Sequence, residues 1–151
     1  MRSLMKMSTQ VVEDLLEGGS AKDFFLGKML PQIPSGNRLA GLGFKMHPTT
    51  LRYGKKFPTQ EGAVYLVAWP GDRHDSSPRA TWSLALYDLF QEGNWAHGGG
   101  PDIWIGVIEA DVLIPVVLML IQAVERLLQA GAGTAQYHQD LRRIAAPHIV
   151  R

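Results

Sequence analysis

The chain has no cysteine, which excludes a disulfide scaffold, a thiolate metal site and a cysteine nucleophile. Charge is also sparse: charged residues are 19% of the chain and the formal net charge is +1, so the protein is not basic throughout. Long apolar runs are missing. The most apolar stretch, Ile103 to Leu128, is broken by Glu109 and Asp111, and after them only Val112 to Ile121 is free of polar side chains. Spanning a bilayer takes roughly 20 apolar residues. The start, MRSLMKMSTQ, lacks the apolar core of a secretory signal. These absences predict a soluble, cytoplasmic protein without a membrane partner. Met5 and Met7 offer alternative starts, so residues 1–6 are expected to be dispensable and disordered. With 46% hydrophobic residues over 151 positions, the composition is that of a single globular domain spanning residues 1–151, not of a disordered chain, a collagen or a long coiled coil.

What is present divides into recognisable elements. Val12, Leu15 and Leu16 follow a capping Ser8 or Thr9 at helical spacing, and Ser20 to Asp23 has the form of a capping box before Phe24, Phe25 and Met29. Pro31 and Pro34 stop this second helix, so an N-terminal helical hairpin is expected. Residues 31–62 are punctuated by Gly36, Gly41, Gly43, Pro48, Gly54 and Pro58, and Leu39, Leu42 and Phe44 suit either a short strand or one helical turn.

Ala63 to Trp69 and Ile103 to Ile108 are apolar on both alternating faces, as buried strands require, while Thr81 to Tyr87 alternates like a half-buried strand. Polar loops, Pro70–Arg79 and Gln91–Pro101, separate them. Asp111 is placed to cap a long helix with Pro115 in its first turn and an inward stripe of Leu113, Val117, Leu120, Val124, Leu127 and Leu128. The first half of that helix is apolar all round and needs cover on nearly every side. A second copy of the chain is one cover, so self-association through residues 111–128 is expected. Thr134 is placed to cap a last helix that Pro147 closes. The order predicts an α+β fold: a small antiparallel sheet of three to four strands packed by helices, with a long apolar helix after the last strand.

The charge map is the strongest functional signal. Residues 1–60 carry nine Lys/Arg against four Asp/Glu, residues 61–126 carry three against nine, and residues 127–151 carry three against one. No carboxylate occurs between Phe24 and Gln60. Within residues 38–56 stand Arg38, Lys45, His47, Arg52, Tyr53, Lys55 and Lys56, interleaved with Phe44 and followed by Phe57. Cations interleaved with aromatics suit a polyanion, because charges meet phosphates and rings stack on bases. An acidic protein surface would satisfy the same pattern, as would pairing with the acidic middle of the chain. Trp95 and His97, in a glycine-rich loop, are a second candidate contact. Trp69, Trp82 and Trp104 fall within strands and read as core.

Other chemistry is thinner. Asp72, His74 and Asp75 share one loop, and His97 and Asp102 the next, but no spacing matches a metal-ligand motif, so turn chemistry is the reading and neither metal nor cofactor is expected. Gly41-Leu42-Gly43 and Gly98 to Gly100 lack the lysine and hydroxyl of a phosphate loop. Ser76, Ser77, His74 and Asp72 are too close along the chain for a catalytic triad.

His47-Pro48-Thr49, the strand Ala63 to Leu66 and a strand ending in Glu109 stand in an order that resembles the landmarks of NAD-consuming ADP-ribosyltransferases. The resemblance covers residues 47–109 and implies His47 on the ribose, Tyr65 stacked near nicotinamide and Glu109 orienting the attacked sugar. Proline at position 48 departs from the glycine common in that family.

Three functional expectations follow. The first is a non-catalytic binding or regulatory protein that engages nucleic acid, or a protein that handles it, through the basic segment. The second is an NAD-dependent transferase using His47, Tyr65 and Glu109. The third is a structural subunit whose apolar helix docks into a larger assembly.

Overall fold

The computed structural model describes residues 33–71, 80–88, 95–96 and 100–150. The helical hairpin expected near the N-terminus lies outside them. The fold is α+β. Five strands form an antiparallel meander in spatial order β1 (Lys45–Met46), β2 (Tyr53–Thr59), β3 (Gly62–Pro70), β4 (Thr81–Tyr87) and β5 (Ile103–Glu109). Helix α1 (Ile33–Gly41) precedes the sheet, and α2 (Leu113–Gln129) and α3 (Thr134–Ala145) follow it.

The sheet is larger than the three to four strands expected because the glycine- and proline-rich segment supplies α1, β1 and β2. Pro34 falls in the first turn of α1, where a missing amide hydrogen has little effect. Gly36 sits mid-helix because the Tyr53 side chain occupies the space a Cβ would need. β2 tolerates Pro58 because β1 pairs only with Tyr53 and Gly54, leaving the outer edge of the rest of the strand unpaired among the described residues. Lys55 and Lys56 on such an edge discourage pairing with another chain.

The main core lies between one face of the sheet and the helices. Trp82, Leu84 and Leu86 of β4, Leu66 and Ala68 of β3 and Ile108 of β5 are fully buried there, against Leu113, Val116, Val117, Leu120, Ala123 and Val124 of α2 and Leu141 of α3. Each large aliphatic side chain so buried contributes about 1.5–3 kcal/mol. The stripe expected on the long helix holds, with Leu128 only partly covered. Its start differs. A 3-10 turn, Ala110–Val112, comes first, and Val112 at the cap position makes no side-chain cap bond, so Asp111 is not the cap. Likewise Gly133 occupies the cap position of α3 and Thr134 is its first residue.

β5 solves a parity problem. Ile103, Ile105 and Ile108 all belong to the core, although residues 105 and 108 differ by an odd number and would point to opposite faces of a regular strand. The register slips between Leu84 and Ala85, which pair with Gly106 and Trp104. This bulge restores the phase. Gly106 takes φ +149°, and the Ile149 side chain fills the place of its missing Cβ. Ile149 bridges to Ile108, and the Val150 amide donates to the Val107 carbonyl at 2.8 Å. The C-terminal tail thereby covers the outer edge of β5.

No helix among the described residues is long and apolar enough to cross a membrane.

Candidate functional site

The second face of the sheet carries the unusual chemistry. Directly opposed residues in an antiparallel pair share a face, so the register gives three rows: Lys56–Tyr65–Tyr87, Lys45–Gly54–Val67–Ala85–Trp104 and Trp69–Ser83–Val107. Val67, Ala85 and Tyr87 form a buried patch with Tyr65, Trp69, Trp95 and Trp104 packed around it, all partly exposed. β4 is therefore buried at all seven positions, and not half-buried as its alternation suggests. Thr81, Ser83 and Ala85 are small, which leaves room for the large rings of the neighbouring strands to close over them.

Arg52 is the organising cation. Its guanidinium lies 4.1 Å from the centroid of the Trp69 ring and 5.9 Å from that of Tyr87, and donates to the Tyr87 hydroxyl at 2.7 Å. A planar guanidinium on an aromatic face contributes about 0.5–2 kcal/mol, more as water is excluded. Its position is set by the turn before it. The His47 amide donates to the Arg52 carbonyl and the Leu51 amide to the His47 carbonyl, both at 2.8 Å, while buried Leu51 adopts a left-handed φ of +59°. Trp69 tilts against Trp104 at 5.8 Å between centroids and 48° between planes; Trp95 stacks on Tyr65 at 5.4 Å and 22°.

The pleat divides the residues singled out from the sequence. Lys45, Arg52, Lys56 and Trp95 belong to the aromatic face. Tyr53 does not: it is 2% exposed and packs against Trp82 on the helix side. Phe44 and Phe57 are buried there too, so the rings interleaved with the cations along the chain are not available for stacking. Lys55 also turns to the helix side and donates to the Leu42 carbonyl at 3.0 Å, neutralising the negative end of α1. Arg38 is exposed on α1, across the sheet from the aromatic face. His47 shapes the β1–β2 turn, its Nδ1 receiving the Thr50 amide at 3.4 Å. His97 lies outside the described residues, as do Asp72, His74, Asp75, Ser76 and Ser77.

Sequence reading assigned Trp69 and Trp104 to the core and did not place Tyr87 in a site. The available signal was large aromatics at positions of both parities in adjoining strands. One face can be the core; the other must then be a second covered or binding surface.

The remaining candidates are dispersed. Gly71 and Ala80 flank the β3–β4 connection at one end of the sheet, and Asp88 and Asp102 flank the β4–β5 connection at the other. Among the described residues no group of three or more His, Asp or Glu could hold a metal. His47 lies at the β1 edge and Glu109 on β5, with β2, β3 and β4 between them, roughly 15–20 Å at about 4.8 Å per strand. Tyr65 is four residues along β3 from the row of Arg52 and Trp69. The three residues of the ADP-ribosyltransferase resemblance do not converge on one site.

Comparison with protein-family models, curated proteins and solved structures finds no match for this chain.

Proposed function

We propose that the protein is a non-catalytic binding protein that engages single-stranded nucleic acid on the aromatic face of its sheet. The observation that carries the reading is the Arg52 guanidinium stacked on Trp69 and bonded to Tyr87, with Tyr65, Trp95 and Trp104 around it and Lys45 and Lys56 on the same face. Single-strand binders combine rings on which bases stack with cations that follow the backbone. Here the cations line the β1–β2 side and the rings occupy the middle, so bases would lie across β3 and phosphates along the edge.

The surface of α2 supports a partner less well. Among the described residues the only large hydrophobics exposed on the molecule are Leu118 and Met119. Two side chains fall far short of the roughly 800 Å2 per partner of a stable interface. Self-association and a larger assembly therefore have a narrower basis than the sheet face.

The test is fluorescence anisotropy of a labelled twelve-residue oligothymidylate at two salt concentrations, with wild type and Lys45→Glu/Lys56→Glu. Binding that weakens with salt and with the double substitution supports the reading. Absence of binding by the wild type at low salt, or binding indifferent to both, overturns it. Tight binding of an acidic protein alone would transfer the face to a protein partner.

A further inference from the structure

Gly54 is the floor of the aromatic face at the point where the cations surround it. Arg52 and Lys56 are two residues to either side on the same pleat, and Lys45 pairs directly opposite. A side chain at position 54 would meet the Trp95 ring at 2.7 Å, so the six-membered ring of the indole takes the space above the strand backbone, with Tyr65 stacked against it. An indole is the size of a purine. Its seat has what a nucleotide requires: a bare backbone floor, a stacking ring at the side and three cations at the rim.

We infer that the seat of Trp95 is a nucleobase site, occupied by the protein's own indole until a nucleotide of a single strand takes its place on Gly54 and Tyr65. The inference rests on the proposed function, which requires only that the face binds nucleic acid. It adds the position of the base and makes Trp95 a competitor of the ligand instead of a contact to it. Phosphate is drawn to Lys45, Arg52 and Lys56, while the displaced indole gives up its ring contact with Tyr65.

Trp95→Ala is the direct test. Loss of the competitor is expected to tighten binding of the oligothymidylate by about three- to tenfold, and Gly54→Val added to it, which fills the seat, is expected to abolish the gain. In the wild type, 5-fluorotryptophan labelling follows the indole without any substitution in the seat. The Trp95 resonance is expected to shift on saturation with oligothymidylate and with millimolar thymidine monophosphate, while buried Trp82 stays unchanged and inorganic phosphate has no effect. Unchanged or weaker binding by Trp95→Ala, or the same shift with phosphate alone, overturns the inference and leaves the proposed function standing. If the wild type does not bind the oligonucleotide at low salt, both fall.

Discussion

Arg52, the residue before β2, sets its guanidinium over the Trp69 ring of β3, the guanidinium carbon 4.1 Å from the ring centroid. The same guanidinium donates to Tyr87 on β4, so one side chain ties three consecutive strands on the face away from the helices. Removing it takes away a cation–π contact and a charge-assisted hydrogen bond. Arg52→Ala is expected to destabilise the protein by about 1–3 kcal/mol, read from urea denaturation. Arg52→Lys is expected to recover less than half of that, because an ammonium has no plane to lay on the indole. Full recovery by lysine would mean that charge alone matters there.

The two neighbouring lysines are expected to behave as opposites. Lys56 is exposed on the aromatic face, whereas the Lys55 amine is bound to the Leu42 carbonyl at the end of α1. Each phosphate neutralised on a single strand contributes about −0.7 to the slope of log K against log salt. Lys56→Gln should therefore flatten the slope for oligothymidylate by about 0.7 with little change in stability. Lys55→Gln should leave the slope intact and lower stability by about 1 kcal/mol, the scale of one hydrogen bond to a charged donor at a helix end. Equal effects on the slope would show that the pleat does not separate them.

Gly106 holds the bulge that lets β5 serve two faces. At φ +149° a Cβ is strained, and the Ile149 side chain already fills its place. Gly106→Ala is expected to cost about 2–4 kcal/mol, from backbone strain and overpacking together. Adding Ile149→Ala should relieve the collision but not the strain, so the double variant is less destabilised than the sum of the singles. Simple additivity would indicate that the tail does not pack on the bulge.

Strand cores of the sheet were legible because Ala63 to Trp69, Thr81 to Tyr87 and Ile103 to Ile108 carry period-two or continuous apolar patterns that local rules read directly. α1, β1 and β2 were not, because their defining facts are non-local. Gly36 is explained by Tyr53, seventeen positions on, and Pro58 by the shortness of β1. For the site, the sequence held the cations but assigned them the wrong rings. Phe44, Tyr53 and Phe57 are neighbours along the chain yet face the core, while Tyr65, Trp69, Tyr87 and Trp104 come from three strands and meet only through register. The bulge at Gly106, which lets Ile105 and Ile108 both face the core, has no signature in Ile-Trp-Ile-Gly-Val-Ile beyond the glycine itself.

Tyr137, on α3, supplies a pH dependence independent of any ligand. It is 2% exposed and packs into the main core, and burial raises its phenol above the ordinary value of 10.0. The neutral phenol is the form the fold accepts. Above pH 10 the unfolded chain releases this proton while the folded one retains it, so the unfolded state binds fewer protons and stability falls as pH rises. The contribution is intact below pH 10 and is lost as the pH climbs through the raised folded value. Tyr137→Phe removes the titrating group and keeps the ring. Urea denaturation at pH 9 and pH 11 is expected to show a smaller loss of stability for Tyr137→Phe than for wild type, the difference being this one proton. Equal losses would mean that the hydroxyl reaches water in the folded protein.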